Sequence, residues 1–362
     1  MVWLPRHRMY AVGRFEDVRA VLRNDEALIS GKGVAANRVT NLLARGTTLF
    51  SDGETHTRRR NVLRRSLGAK ALTVVEDRVD EQARALVDRL VDSSEFEATR
   101  DFASHLPLSI VAQLVGVRAD GNRLLRWAAA SFDSLGPLNR RGVQAGAIGL
   151  SLLLYTQLLT AERVAPGSWA ASVFEAGDRG EITTREARAL VIDFVAPALD
   201  TTILASTHLL WALADNAAAW AEIRADPSLI AAAVVENVRL SSPIRGFTRL
   251  VVRGLEIGGI LVPAGSRVAV LFGAANLDET QFPDPERFDV HRENKVQLGW
   301  GNGAHTCIGL HLSKLEMQAL LGAMVSRVGE IQVGRPRRLL NNTLQGITHL
   351  PARFKPAPAI AT

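Results

Sequence analysis

Apolar positions recur at helical spacing along most of this chain. Phe15, Val18, Val21 and Leu22 fall on one face of a first helix, and Leu72, Val75, Val79, Ala83, Leu86 and Leu90 mark a longer one ending at Val91. Further helices cover roughly 105–160, with a break near Leu135-Gly136-Pro137. The longest helical pattern runs over 183–215 and opens on Thr183-Thr184-Arg185-Glu186, which has capping-box spacing. A last amphipathic run holds Leu310, Leu315, Leu320, Leu321, Met324 and Val325. Strand signals are fewer. Val2 to Val12 reads as two short strands around Pro5-Arg6-His7-Arg8. Residues 250–272 alternate through a turn at Val262-Pro263-Ala264-Gly265, and Thr343 to Phe354 is strand-like. Residues 30–53 read as loops with short helical pieces. The pattern predicts a mainly α protein with a minor β-sheet region.

Composition narrows the function classes. The chain has 362 residues, an apolar fraction of 47% and a single cysteine, which excludes an internal disulfide and fits a reducing cytoplasm. No apolar run reaches the ~20 residues that span a bilayer, and Met1 to Arg6 has no signal-peptide pattern, so neither a membrane nor export is expected. A net charge of +6 is modest, so it points to no nucleic acid and to an acidic partner only where the charges cluster. No repeat or interdomain linker is visible, and a monomer is expected.

The stretch with most chemistry is Gly299-Trp300-Gly301-Asn302-Gly303-Ala304-His305-Thr306-Cys307-Ile308-Gly309. Cys307 leads directly into the Leu310 helix, where a thiolate is stabilised by the helix dipole. The glycines let the backbone approach a flat partner and turn N–H groups toward the sulfur. One cysteine cannot build a zinc site or an iron–sulfur cluster, but it can supply the axial ligand of a haem. A buried structural thiol and a nucleophilic Cys307–His305 pair are the other readings; the second lacks a group to orient the base. With Trp300, Gly301, Gly303, His305, Cys307 and Gly309 in these places, the segment resembles the haem-binding loop of the cytochrome P450 family, Trp300 standing where Phe is usual.

The resemblance continues through the chain. In Asp52-Gly53-Glu54-Thr55-His56-Thr57-Arg58-Arg59-Arg60, it implies that His56 and Arg60 bind haem propionates; positions i and i+4 share a helix face. Arg58, Arg59, Arg64 and Arg65 are left for the surface, where Arg58, Arg59, Arg65 and Lys314 are expected to dock an acidic electron donor. Arg249 matches a further propionate-binding arginine. Glu236-Asn237-Val238-Arg239 matches the family's Glu-x-x-Arg, with Arg287 of Pro285-Glu286-Arg287-Phe288 as its third, structural member.

Asp193-Phe194-Val195-Ala196-Pro197-Ala198-Leu199-Asp200-Thr201-Thr202 resembles the oxygen-activating segment. By that resemblance Asp200 is the acid and Thr201 the alcohol that deliver protons: a hydroxyl donates, and a carboxylate relays protons from solvent. Pro197 replaces a usual glycine or alanine and removes the N–H that would bond the Asp193 carbonyl. It predicts a fixed kink, with a break into two helices as the alternative, and it puts the Pro197 carbonyl within reach of the Thr201 hydroxyl. Asp193, Pro197 and Thr201 share a face, so Asp193 is expected either to meet a polar or cationic group of a substrate or to pair with Arg245. Phe132, Ile244, Arg245, Phe247 and Leu344 are further candidates for the substrate pocket.

The resemblance implies one cytochrome P450 domain over residues 1–362, with fewer residues before the first strand pair than the family usually has. It implies haem b, iron protoporphyrin IX, held by Cys307. The expected activity is a monooxygenase that inserts one atom of O2 into a small organic molecule by hydroxylation or O-dealkylation, using electrons from a ferredoxin and its reductase. Leu199-Asp200-Thr201-Thr202 and Leu271-Phe272-Gly273-Ala274-Ala275-Asn276 are similar to the bacterial branch acting on para-substituted aromatic acids. A peroxide-using enzyme and a non-catalytic haem-binding homologue remain as alternatives.

Overall fold

The structure is a computed structural model and describes residues 1–293 and 296–358. Helix accounts for 54% of it and strand for 13%, the mainly α class with a minor sheet that the periodicity predicts.

The strand pair forms as expected, Val2–Leu4 antiparallel to Met9–Val12. It extends into a five-stranded sheet through Arg267–Leu271, then Gly246–Val251, then Leu28–Ile29. Phe247 pairs with Val270 and Arg249 with Val268, so Phe247 and Arg249 stand two residues apart on one face of a strand. Helix Phe15–Arg23 packs its buried Phe15, Val18, Val21 and Leu22 against this sheet, forming a core with Val268, Val270, Phe282 and Leu298.

A larger core lies among the helices. Ala69–Val91 and Leu310–Arg327 pack along each other, as do Gly121–Leu135 and Arg140–Gln157. Helices Gly53–Leu67, Trp169–Asp178, Thr184–Val195, Asp200–Asp215 and Ile230–Ser241 contribute to the same core. A cavity of about 530 Å³ opens between the helical core and the sheet.

Two expectations change here. The pattern over 183–215 is two helices, Thr184–Val195 and Asp200–Asp215, rather than one kinked helix. The last bond of the first runs from Ala196 N to Ile192 O (2.8 Å), and the next helix resumes with Ile203 N to Leu199 O (3.0 Å). Pro197 cannot donate to the Asp193 carbonyl, and its ring crowds that group, so four residues leave helical geometry. The capping box at Thr183 and Glu186 is present. Counted across the break, Thr184–Asp215 contains an 18-residue window of mean hydropathy 1.6, apolar enough to cross a membrane, contrary to the sequence reading; 67% of that window is buried inside the protein, as a core segment would be.

Candidate functional site

The loop before helix Leu310–Arg327 folds as a tight series of turns. Gly301 and Gly303 take positive φ (73° and 72°), and a Cβ at Gly303 would collide with the Leu22 carbonyl. Gly301 N donates to Leu298 O (2.8 Å), Thr306 N to Gly303 O (3.1 Å) and Cys307 N to Trp300 O (2.8 Å). The Trp300 indole donates to Ser313 Oγ (3.1 Å) and lies under Lys314 Nζ, 5.1 Å from the ring centroid. Cys307 is accessible from the cavity it lines but is otherwise enclosed by protein. Burial pushes its thiol pKa up, against the Gly309 N–H and the charge of Arg60, which favour the thiolate.

Four basic side chains line the same cavity: His56, Arg60, Arg249 and His305. His56 and Arg60 lie on helix Gly53–Leu67, and Arg60 Nη2 donates to Thr306 O (2.6 Å). The His56 and His305 rings stack with centroids 4.2 Å apart. Arg249 is buried and, among the described residues, donates only to Thr248 O (3.0 Å); burial lowers its pKa to about 10. Burial first, then Arg249, His56 and Arg60, hold His305 down at about 2. His56 Nε2 is buried with no hydrogen-bond partner. Two guanidiniums and two imidazoles gathered at one end of the cavity suit an anionic ligand, and a soft donor faces the same space. Haem, with two propionates and an iron needing one axial ligand, fits this donor set.

The same cavity is lined by Ile192, Asp193, Phe194, Pro197, Thr201 and Thr202, along with Phe132, Ile244 and Phe247. Thr201 Oγ1 donates to Pro197 O (2.9 Å). Asp200 does not line the cavity; burial first and the nearby Asp133 second raise its pKa to about 7. Asp193 Oδ2 accepts from Thr48 N (2.7 Å), and burial raises its pKa to about 6.

Several expectations are corrected. Asp193 does not pair with Arg245, which is exposed and outside the cavity lining, because its strand end turns that side chain to solvent. Leu344 is buried behind the wall, packed with Phe132, Leu135 and Leu204, and does not reach the cavity. Arg287 is exposed and joins the Glu236–Arg239 network only through its carbonyl. The guanidinium that completes it is Arg292, whose Nε meets Glu236 Oε1 at 3.0 Å beside the Arg239–Glu236 pair at 2.8 Å. Arg58 and Arg59 both bind Glu186 (2.6 and 3.0 Å), and Arg65 binds Glu181 (2.7 Å), so the expected basic docking face is largely neutralised. Sequence reasoning also missed Glu316, fully buried on the helix that follows Cys307, with both carboxyl oxygens unpartnered among the described residues. Nine residues beyond Cys307, it belongs to neither the helix's apolar periodicity nor the Cys307 loop.

Comparison with known proteins agrees with this geometry. A family model described as Cytochrome P450 matches residues 168–329. The chain is 32% identical to cytochrome P450 CYP199A2 of Rhodopseudomonas palustris, over 99% of this chain and 88% of that protein. It is 31% identical to 6-deoxyerythronolide B hydroxylase of Saccharopolyspora erythraea, over 84% and 77%. The solved structure of Mycobacterium marinum cytochrome P450 CYP268A2 with pseudoionone matches at a TM-score of 0.86 and 27% identity, over 98% of this chain and 89% of that one.

Proposed function

Because the chain belongs to the cytochrome P450 family, whose members bind haem and act as monooxygenases, we propose that it hydroxylates or O-dealkylates a small, mainly apolar aromatic molecule with electrons from an external ferredoxin. The observation that carries this reading is that Cys307 and Thr201 line one mainly apolar cavity.

When bound, haem supplies the binding and activation of O2, and a thiolate ligand favours cleavage of the O–O bond. Cys307 would be the residue that ligates the iron. The Gly309 N–H and the helix that follows stabilise its negative charge. His56, Arg60, Arg249 and His305 hold the propionates, and Trp300 packs beside the sulfur's loop. Glu236, Arg239 and Arg292 keep that loop's support rigid.

On the distal side Thr201 presents its hydroxyl to the cavity while bound to the Pro197 carbonyl. It orients and donates a proton at its Oγ1. Asp200, outside the cavity and with a pKa raised to about 7, exchanges protons between solvent and Thr201 near neutral pH. Phe132, Ile244, Phe247 and Pro197 give the substrate an apolar enclosure that excludes water. The sequence given holds no flavin- or nucleotide-binding motif, and this reading takes the electrons from a separate donor. Arg64, exposed and unpaired among the described residues, and Lys314, half-buried over Trp300, are the basic groups left for an acidic donor.

The test is the absorption spectrum of the reduced protein under carbon monoxide. A strongly red-shifted Soret band that is lost in Cys307→Ala supports the reading. A band typical of histidine ligation, or no haem at all, overturns it.

A further inference from the structure

We infer that Asp193 is a recognition site for a positively charged nitrogen on the substrate. The inference rests on the reading of the cavity as the substrate pocket, and it narrows the substrate class.

Asp193 is the one acid among the residues lining the cavity. It sits in the last turn of helix Thr184–Val195, on the wall that also carries Pro197 and Thr201. Its Oδ2 is held by Thr48 N at 2.7 Å, which fixes the carboxylate in place. The Thr48 hydroxyl lies near enough to favour the ionised carboxylate as well, but among the described residues no Lys, Arg or His forms an ion pair with Asp193.

The protein's own cations do not reach it. Arg59, whose charge acts on Asp193 from a distance, is bound to Glu186 and to Thr47 O (3.2 Å). Arg60 binds Thr306 O, and His56 stacks on His305, at the Cys307 end of the cavity. Arg245 is exposed elsewhere. A fixed carboxylate in an apolar enclosure is costly unless it is paired. With no cationic partner among the described residues, the group that best completes it is a cationic nitrogen on the ligand, whose apolar body fills the rest of the space. A carboxylate substrate would meet Asp193 as a like charge.

The test compares two probes of nearly the same shape in the haem-loaded protein at pH 7.5. One is the (4-propylphenyl)trimethylammonium cation and the other is 1-tert-butyl-4-propylbenzene. A quaternary nitrogen cannot ligate iron, so both are read by the spin-state shift of the Soret band. The wild type is expected to bind the cation about tenfold more tightly, the scale of one charge-assisted contact. Asp193→Asn keeps an acceptor for Thr48 N and is expected to erase the preference while leaving the affinity for the neutral probe within about twofold. Asp193→Leu is expected to reverse it. Equal affinities in the wild type, or a preference that persists in Asp193→Asn, overturns the inference. Either result leaves the monooxygenase reading standing if the neutral probe shifts the spin state and the carbon monoxide spectrum is that of a thiolate-ligated haem.

Discussion

The imidazoles of His56 and His305 face each other with ring centroids 4.2 Å apart and planes tilted by 44°, although one comes from a helix and the other from the loop that carries Cys307. Arg60 ties the same two elements together through the Thr306 carbonyl. Arg249 arrives from the sheet, so three separate parts of the chain place basic groups around one end of a cavity whose one lining acid among the described residues is Asp193. Such a cluster opposes folding until an anion occupies it.

This arrangement predicts opposite effects of Arg249→Met on the two forms of the protein. The apoprotein is expected to gain thermal stability, because a buried, unpaired guanidinium is removed. The haem-loaded protein is expected to lose haem about 10–100-fold faster, the range of a charge-assisted hydrogen bond. Calorimetry of the apoprotein and transfer of haem to apomyoglobin measure the two. A loss of apoprotein stability would show that Arg249 is held by the protein itself and not reserved for a ligand.

In the Glu236 network the side chain that matters is Arg292. It is nearly buried, and Glu236 Oε1 also accepts from Asp289 N (3.1 Å). Arg292→Met is expected to cost about 1–3 kcal/mol, because a buried carboxylate oxygen loses a charged donor. Arg287→Ala is expected to stay within about 0.5 kcal/mol, since that side chain is exposed and only its carbonyl takes part. Urea denaturation of the two variants separates these cases.

Much of this site was legible in the sequence, for local reasons. The Cys307 loop depends on glycines at fixed places and on the start of a helix, both of which a sequence displays directly. His56 and Arg60 share a face because they are four residues apart on one helix. What the sequence could not show were partners chosen across the fold. Arg292 rather than Arg287 reaches Glu236, Thr48 rather than Arg245 reaches Asp193, and Glu186 captures the arginines expected to be free. Each depends on where a distant loop lies, and local periodicity does not encode that. Pro197 was readable as a disruption, but whether it kinks or breaks a helix depends on the packing on either side.

Asp200 offers a pH-dependent prediction. Burial and then the charge of Asp133 raise its pKa to about 7. Removing that charge lowers the pKa, so Asp133→Asn is expected to move the acid limb of the turnover profile to lower pH, by up to about one unit. Asp200→Asn is expected to slow turnover by about 10²-fold or more, in the range of general acid–base catalysis. Rates of reduced-nicotinamide oxidation and of product formation between pH 5.5 and 8.5 test both. An acid limb unmoved by Asp133→Asn would assign it to a group other than Asp200.

Glu316 carries the remaining prediction. It is fully buried on the helix that begins just after Cys307, neither carboxyl oxygen has a partner, and burial raises its pKa to about 8. At neutral pH it is therefore mostly a neutral acid, which keeps a second negative charge away from the thiolate. The folded protein holds a proton that the unfolded chain releases near the ordinary value of 4.5. Its contribution to stability is thus fully present below that value and is lost as the pH rises through 8. Glu316→Met removes both the titration and the unpartnered oxygens at similar volume. The variant is expected to gain about 1–3 kcal/mol over the wild type at pH 8.5, less at pH 7 and least at pH 5.5. Melting temperatures at those three pH values check it. A gain that does not grow with pH would mean that Glu316 is ionised in the folded state and solvated by water within the helix packing.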